Sequence, residues 1–243
     1  MPLSPSIPLR DRLPMLNRFH NGWAAQDILT ETLSGKAGNV ALVSSFGAES
    51  VVLLHMVSQL DRATPVIFID TLMLFRATLA YQRDVAAFLG LTNIQHVTPD
   101  TNDLLIHDVD GLLHQADTNA CCALRKVAPL QTALDGFDTW ITGRKRHQSS
   151  ARANLPLWED DGMGRAKVNP LRDWSAADLT EYMTQYNLPR HPLVSQGYAS
   201  IGCAPCTYRP APGLDARSGR WAGQDKTECG IHLPAPTART KGT

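Results

Sequence analysis

Five cysteines are the residues of this 243-residue chain most suited to chemistry, because four of them form two close pairs. The pairs are Cys121 with Cys122 and Cys203 with Cys206, and Cys229 stands alone near the C-terminus. Four thiolates arranged in this way are typical of a tetrahedral zinc site or an iron–sulfur cluster. Adjacent cysteine side chains diverge, whereas a single zinc ion needs each sulfur within about 2.3 Å. A cubane offers a separate iron to each thiolate, so the pattern favours [4Fe–4S] over zinc and leaves both open.

The fifth cysteine has a different setting. The stretch "KTECGIH" places Cys229 between Lys226 and His232 and beside Gly230, in a tail rich in Gly, Pro and charge. A nearby ammonium or imidazolium lowers the pKa of a thiol and increases its thiolate fraction. We therefore predict that Cys229 is a nucleophile on a tail without apolar anchoring, free to reach a substrate and then a second protein. The role of His232 is the weakest of these assignments, since a surface histidine would give the same pattern.

Two strand ends carry candidate ligand-binding groups. "SSFGAES" joins a predicted strand to a helix, where small residues and free backbone N–H groups suit an anion, and Ser44, Ser45 and Ser50 add hydroxyls. The loop lacks the GK[ST] ending of a Walker A motif, and an ordinary strand-to-helix turn is an equal alternative. Asp70 ends the next strand and could bind a ribose or base edge, or cap a helix.

Clustered basic residues predict a small dianionic ligand. Lys+Arg and Asp+Glu both total 23, so the formal net charge is zero and bulk charge supports neither nucleic-acid nor membrane-surface binding. Local clusters remain, and arginine suits phosphate and sulfate because its planar fork matches two oxygens. The clustered residues are Arg125, Lys126, Arg144, Lys145, Arg146, Arg152, Arg217 and Arg220.

Alternating strands and helices must position these groups. Buried strands are predicted over residues 39–46, 65–70, 93–98, 139–143 and 165–171, and helices around 23–32 and over 50–60, 77–90, 119–134 and 173–187. We expect Asn119 to cap its helix, Pro129 to end or kink it, and Ser175 and Asp178 to cap the last helix. The alternation predicts an α/β fold with a mainly parallel twisted sheet and helices on both faces, with ligands beyond the carboxyl ends of the strands.

Length and composition set the compartment. The chain is long enough for one α/β domain or two small domains, it has no apolar run of about 20 residues, and its N-terminus lacks the apolar region of a signal peptide. We therefore expect a cytoplasmic protein without a membrane partner. In that reducing compartment cysteines are metal ligands or reactive thiols rather than disulfides.

Several of these stretches together resemble a known family. "SSFGAES", "CC" followed by "RK", "GRKRHQS", "YASIGCAPCT", "GRW" and "ECGIH" are similar to the assimilatory adenylyl-sulfate reductases, which group with the phosphoadenylyl-sulfate reductases in the PP-loop family. The resemblance runs from about Asn39 to His232. The cysteine pairs combined with "ECGIH" are its most specific part, since phosphoadenylyl-sulfate enzymes typically lack the pairs.

The resemblance implies an activity. Cys229 would attack the sulfur of adenosine 5′-phosphosulfate (APS), and thioredoxin or a glutaredoxin would release sulfite from the S-sulfonate in cysteine biosynthesis. The two cysteine pairs would hold a [4Fe–4S] cluster, with Lys126 between cluster and substrate. The residues implied in substrate binding are Ser44, Ser45, Phe46, Gly47, Glu49, Ser50, Asp70, Lys126, Arg144, Arg146, Arg217 and Arg220, with His232 as a further candidate.

The resemblance also implies one PP-loop reductase domain over 1–243. It would comprise a leader region with a helix over 1–33, an α/β core over 34–208 and a mobile tail over 209–243, and a homo-oligomer is left open. The chain departs from the family pattern after Asp70, where Leu72, Arg76 and Ala77 replace the usual Gly and Pro-Glu, and at Tyr208, which displaces an arginine.

Three alternatives to this function stay open at this point. The 3′-phosphorylated nucleotide (PAPS) could be an alternative or additional substrate. A PP-loop enzyme that adenylates a substrate with ATP would use the cysteines for zinc, need magnesium and release pyrophosphate. A non-catalytic iron–sulfur regulator would have no use for Cys229.

Overall fold

The computed structural model describes residues 7–211, 213, 215–224, 226 and 228–232. Its helices are α1 (Leu9–Phe19), α2 (Ala25–Leu33), α3 (Ser50–Leu60), α4 (Arg76–Leu89), α5 (Thr101–His107), α6 (Leu113–Ala116), α7 (Thr118–Cys122), α8 (Ala128–Ala133) and α9 (Ala176–Gln185). A π-helical turn (Ala123–Val127) joins α7 to α8, and 3₁₀ turns cover Arg146–Gln148, Ser150–Arg152, Pro192–Gln196, Ala204–Cys206 and Gly230–His232. The strands are β1 (Val40–Val43), β2 (Val66–Ile69), β3 (Ile94–Val97), β4 (Thr139–Ile141), β5 (Trp158–Asp160) and β6 (Ala166–Val168).

The strands form one sheet in the order β3-β2-β1-β4-β6-β5. All neighbours are parallel except β5, which runs antiparallel to β6. The central strands read as apolar runs because helices cover both faces, and Leu42, Ile67, Phe68 and Ile141 are almost completely buried. The predicted α/β fold with a mainly parallel sheet is confirmed.

The order of the strands reverses at β1. The chain moves outward from β1 to β2 and β3 on one side; on the other side it passes from β4 to the edge strand β5 and returns to β6, which lies between them. The loops that leave β1 and β4 therefore diverge and open a crevice at the carboxyl edge of the sheet. Crevices at such switch points are where open α/β sheets bind ligands.

Helices cover the two faces of the sheet, and α3 and α4 lie close to the spans that the sequence pattern predicted. Helix α3 is buried over most of its length, including Val51, Leu54 and Val57, so it reads as an apolar run rather than an amphipathic stripe. Helix α4 ends as predicted at Gly90, whose φ of +65° takes the left-handed conformation that favours glycine at a helix C-terminus.

The N-terminal region contains more structure than the sequence predicted. The helix expected around residues 23–32 is α2, but α1 precedes it and carries Pro14 within its span. Leu16 and Leu29 are buried in the main hydrophobic core. Asn17 exchanges hydrogen bonds of 2.8 and 2.9 Å with the backbone of Trp158. Strand β5, which the sequence pattern missed, is thus paired on one side with β6 and covered by α1.

The helix that carries Cys121 and Cys122 begins differently from the prediction. Its N-cap is Asp117, whose carboxylate accepts from the backbone N–H groups of Asn119 and Ala120 at 2.8 and 2.9 Å, and not Asn119. Pro129 does not end the helix, which continues to Ala133. The π-helical turn lies directly before Pro129, which has no backbone N–H to donate to the preceding turn of an α-helix. π-helical turns are frequent at functional sites.

Within the described residues, no helix combines the length and the apolar character needed to cross a bilayer.

Candidate active site at the switch point of the sheet

A cavity of about 240 Å³ occupies the crevice between the loops that follow β1 and β4. Its wall also includes residues of the π-helical turn and of the C-terminal segment, so at least four parts of the chain meet there. Most of the side chains predicted to bind a substrate line it: Ser44, Ser45, Gly47, Glu49, Ser50, Lys126, Arg144, Arg217, Arg220 and His232, together with Cys203 and Cys229.

The loop after β1 is shaped by its own short side chains. The Ser44 hydroxyl accepts from the Phe46 N–H at 3.2 Å, and the Ser50 hydroxyl accepts from the Gly47 N–H at 3.0 Å. A Cβ at Gly47 would lie 3.3 Å from the backbone carbonyl of Ile201, so the loop packs closely against the segment before Cys203. The hydroxyls that we predicted as ligand donors therefore also fix the backbone that surrounds the cavity.

Three predicted substrate-binding residues lie outside the cavity wall. Phe46 has a φ of +47° and is buried, with its ring edge-on to Phe68 at 5.3 Å. The carboxylate of Asp70 accepts from the N–H of Leu72 at 2.9 Å. This contact stabilises a turn, and it resembles the capping contact that was the alternative to ligand binding. Arg146 pairs with Asp173 at 2.5 Å near the surface. Their positions favour structural roles.

The basic loop after β4 is held by carboxylates from other elements. Lys145 is buried and pairs with Glu49 at 2.8 Å, and Gln148 donates to the same carboxylate at 3.0 Å. Arg144 pairs with Glu159 on β5. Burial lowers the pKa of Arg144 to about 10, with the charge of Arg152 acting in the same direction. Cations are thus concentrated in a poorly solvated wall, where they favour an anionic ligand.

The paired cysteines meet beside this wall. Cys121, Cys203 and Cys206 are buried close to one another, and burial together with repulsion from the other two thiols raises the pKa of Cys121 to about 11. The hydroxyl of Thr71 lies 3.2 Å from the sulfur of Cys203. The fold therefore brings together two cysteine pairs that are about 80 residues apart in the sequence.

Cys229 is half-buried at the cavity and faces Cys122 and Lys126. A hydrogen bond from the Cys122 thiol, together with the positive charges of Lys126 and Arg220, holds the pKa of Cys229 well below its usual range despite burial. Although burial lowers the pKa of Lys126, the neighbouring thiols, with Cys229 first, raise it. The pair thus favours a thiolate beside an ammonium, which is the state that a nucleophilic cysteine requires.

The described part of the tail has apolar contacts that the sequence did not predict. Trp221 is 2% exposed and packs with Cys203 and Cys206. Ile231 packs against the cluster around Leu130 and Trp140. The prediction of a tail without apolar anchoring is wrong for these residues, because side chains of the core cover them. Tail residues 233–243 lie outside the described residues.

His232 belongs to the cavity but not as a cation. Its ring stacks on Trp140 with planes 8° apart and centroids 6.1 Å apart. Burial, followed by the charges of Arg144 and Lys167, lowers the pKa of His232 well below its usual range. The imidazole is therefore neutral, and the cations beside Cys229 are Lys126 and Arg220 instead.

Sequence reasoning missed Glu228, which lies directly before Cys229. Its carboxylate pairs with Arg152 at 2.6 and 2.7 Å and with Arg217 at 3.5 Å. Although burial raises it, hydrogen bonding and charge from Arg152 keep the pKa of Glu228 below its ordinary value. A lone carboxylate beside a predicted thiolate, in a chain with clustered arginines, was the signal that could have identified it.

The fold and the site define a doubly wound α/β protein with a half-buried thiol in a cavity lined by basic residues at its switch point. The chain belongs to the phosphoadenosine phosphosulfate reductase domain family, which matches residues 39–209. It is 53% identical over 194 residues to the adenosine 5′-phosphosulfate reductase of Mesorhizobium japonicum, covering 80% of this chain and 76% of that protein. It is 49% identical over 203 residues to the enzyme of the same name from Chelativorans sp., covering 84% and 82%.

Solved structures give the same family and a wider fold relationship. The phosphoadenylyl-sulfate (PAPS) reductase from Candida auris, in its phosphate complex, has a TM-score of 0.71 at 29% identity. The alignment covers 84% of this chain and 100% of that one. Yeast FAD synthetase in complex with FAD aligns with a TM-score of 0.53 at 13% identity over 86% of this chain and 72% of that chain, which shows a shared fold alone. The resemblance to the PP-loop reductases is confirmed.

Proposed function

We propose that this protein is an oxidoreductase of assimilatory sulfate reduction that converts APS to sulfite and AMP. The observation that carries the proposal is the Cys229 thiol held beside Lys126 and Arg220 in the switch-point cavity. The names of the relatives at 49–53% identity support APS as the nucleotide. The proposal includes one domain with a leader, a core and a tail. It also includes a cytoplasmic location and a role in cysteine biosynthesis.

In the first half-reaction the Cys229 thiolate attacks the sulfur of the sulfuryl group. The new S–S bond forms as the bond between that sulfur and the bridging oxygen breaks, and AMP leaves with the electron pair. The enzyme then carries a Cys229 S-sulfonate, and covalent catalysis has divided one difficult step into two. Lys126, Arg220 and Arg217 offset the repulsion between thiolate and anionic substrate by neutralising oxygens in the transition state.

In the second half-reaction a dithiol protein such as thioredoxin or a glutaredoxin supplies two electrons. One of its thiolates attacks the sulfur of Cys229, sulfite leaves, and a mixed disulfide forms. The second thiol of the reductant resolves that disulfide and restores the Cys229 thiol. Cys229 must therefore face the cavity in one step and the protein surface in the next.

The four paired cysteines fit an iron–sulfur cluster. The side chains of the adjacent Cys121 and Cys122 diverge, which suits a cubane with a separate iron for each thiolate better than a single zinc ion. The indole Nε1 of Trp221, packed against Cys203 and Cys206, is buried without a hydrogen-bond partner among the described residues, as expected for a donor beside a sulfur-rich group. This donor set supports [4Fe–4S] rather than structural zinc.

We assign the cluster to Cys121, Cys122, Cys203 and Cys206. When bound, it would join the two cysteine pairs and contribute its charge beside the cavity, and no step requires it to change oxidation state. As a cluster ligand, the Cys122 sulfur would be a thiolate and would no longer donate a hydrogen bond to Cys229. Lys126 and Arg220 would then hold the thiolate state of Cys229 by themselves.

Sulfite release from each nucleotide tests the proposal. Anaerobically purified protein is incubated with APS or PAPS and reduced thioredoxin, and sulfite and nucleotide products are measured. We expect sulfite and AMP in equal amounts from APS. Sulfite from PAPS at the same efficiency would support a dual enzyme, and pyrophosphate release with ATP and magnesium would instead support the adenylating alternative.

A further inference from the structure

Glu228 makes the most extensive ion-pair contacts of the described tail. Its carboxylate accepts from Nε and Nη2 of Arg152 at 2.6 and 2.7 Å, and Arg217 approaches it at 3.5 Å. It also accepts from the backbone N–H of Cys229 at 3.0 Å. The side chains of Glu228 and Arg152 are only 10% and 7% exposed, so water screens this pair weakly.

The partner arginine is itself fixed to the core. Arg152 lies in a 3₁₀ turn of the loop after β4 and donates to the side chain of Gln148. Gln148 donates in turn to Glu49, which also pairs with the buried Lys145. A continuous set of polar contacts therefore runs from the loop after β1 to the residue that precedes Cys229.

The two arginines around Glu228 face the cavity that an anionic nucleotide would enter. A carboxylate in that position opposes an anion, so a role in binding the substrate does not explain it. Its bidentate contact with Arg152, one residue from the nucleophile, instead fixes where the Cys229 sulfur lies. A change in position of a reacting atom by about 1 Å can reduce a rate by about 100-fold.

We propose that Glu228 is a positioning residue whose ion pair with Arg152 holds Cys229 at the cavity for attack on the substrate and opens before the reductant reaches the sulfur. This inference rests on the proposed function. It predicts opposite effects of Glu228 on binding and on reaction. Without the carboxylate charge, Arg152 and Arg217 would interact more strongly with an anionic ligand, so nucleotide affinity should hold or rise. The position of the Cys229 sulfur would be less fixed, so its reaction with the substrate should be slower.

The first test follows the tail without using the reaction. Hydrogen–deuterium exchange is measured on peptides covering residues 215–232 in the wild-type protein, Glu228→Gln, Arg152→Gln and the double variant. We expect faster tail exchange in Glu228→Gln, and the double variant to exchange no faster than the faster single variant, because one pair is lost in each case. Glu31→Gln, which removes the ion pair with Lys36 outside the cavity, is the control and should leave tail exchange as in wild type. Wild-type exchange in Glu228→Gln would overturn the inference.

The second test separates the half-reactions. Single-turnover formation of the SO₃ adduct on Cys229 is measured at saturating APS, and AMP affinity is measured by titration. Glu228→Gln should form the adduct at least about tenfold more slowly, as expected for a misplaced nucleophile. It should bind AMP as tightly as wild type or more tightly, and thioredoxin should release sulfite from its isolated adduct at least as fast.

The outcomes separate the inference from the proposed function. If wild-type protein forms no adduct on Cys229, the proposed function fails, whereas the exchange experiment still decides the ion-pair role. If wild type forms the adduct and Glu228→Gln forms it at the same rate, or only its AMP affinity falls, the positioning role is wrong. Glu228→Asp, which keeps the charge on a shorter side chain, should be closer to wild type than Glu228→Gln in both tests. If Glu228→Gln does not fold, Arg152→Gln, which removes the other half of the pair, replaces it in the exchange test, and wild-type exchange there would overturn the inference.

Discussion

At the scale of single residues, the proposed chemistry depends on which charges surround the sulfur of Cys229. Cys229 lies beside Lys126 and Arg220, while the neutral His232 stacks on Trp140 away from a cationic role. The thiolate is thus stabilised by groups that lie about 100 and 10 residues away in the sequence. Two predictions test this arrangement.

Cys229→Ser should abolish turnover while it leaves the fold, the colour of the protein and nucleotide affinity unchanged. A serine hydroxyl is barely ionised at neutral pH, whereas the hydrogen bond from Cys122 and the charges of Lys126 and Arg220 lower the pKa of the Cys229 thiol. Mass spectrometry of wild-type protein mixed with APS alone should find one added SO₃ group on the peptide containing Cys229. Reduced thioredoxin should remove that mass and release an equal amount of sulfite. An adduct on another cysteine would refute the role of Cys229.

Arg220→Ala should weaken APS binding by about 1.5–3 kcal/mol, the range for one lost hydrogen bond to a charged group. The guanidinium lines the cavity and lies over the Trp221 ring at 4.7 Å, and its Nε is buried without a hydrogen-bond partner among the described residues. Isothermal titration with APS measures the change in the Cys229→Ser background, where no adduct forms. Arg146→Ala is the matched control, because Arg146 pairs with Asp173 outside the cavity, and its dissociation constant should equal that of wild type. An unchanged constant for Arg220→Ala would remove Arg220 from the site.

At the scale of elements, the β5–β6 pair supports the basic loop from behind. Glu159 on β5 pairs with Arg144, and it also lies 3.5 Å from the ammonium nitrogen of Lys167 on β6. Lys167 lies over the Trp140 ring at 5.1 Å and is almost fully buried. A buried lysine is costly to charge, and this cost makes the stability of the protein depend on pH.

Lys167→Met should show this dependence. Burial, followed by repulsion from Arg144, lowers the pKa of Lys167 to about 7 in the folded protein. Between that value and the unfolded pKa of about 10.4, the unfolded chain binds the extra proton, so the stability of wild type rises with pH. The free energy of unfolding of wild type minus that of Lys167→Met should therefore rise by up to about 1.4 kcal/mol per pH unit above pH 7. Urea unfolding at pH 7, 8 and 9 measures the difference, and a difference that is constant or falls with pH would contradict the assignment.

At the scale of the whole molecule, the cysteines join parts of the chain that the sheet alone does not connect. Cys121 and Cys122 lie on α7 at the carboxyl edge of the sheet, and Cys203 and Cys206 lie in the segment after α9. Trp221 packs on the second pair and brings the tail to the same place. Metal binding at this junction would therefore contribute to folding as well as to the site.

Anaerobically purified protein should be brown and contain about four irons per chain, as a cubane requires. Cys203→Ser should lose the iron and most of the activity together, and it should unfold at a lower urea concentration because metal binding is coupled to folding. Iron analysis, absorption spectra and urea titration measure these effects. Cys229→Ser is the matched control and should keep its iron. Colourless wild-type protein with one zinc ion, or an active Cys203→Ser without iron, would refute the cluster.

Local patterns predicted much of the fold, because their causes are local. Apolar runs marked β1, β2 and β4, and Gly90 marked the end of α4, since only a glycine takes its left-handed conformation without strain. The pattern failed at β5 and α1. Strand β5 has three residues and pairs with only one neighbour, and α1 contains a proline, so neither gives a strong periodic signal.

The sequence by itself determined the reactive groups: two pairs of cysteines, a fifth cysteine in "ECGIH", and a loop of small residues at a strand end. Only the tertiary structure decided which basic residues serve the cavity. Arg144 and Arg146 are equivalent in the sequence, but Arg144 lines the cavity against Glu159 whereas Arg146 turns to Asp173 at the surface. Thiol chemistry is a property of the side chain, whereas the use of a charge depends on burial and on partners that only folding brings near.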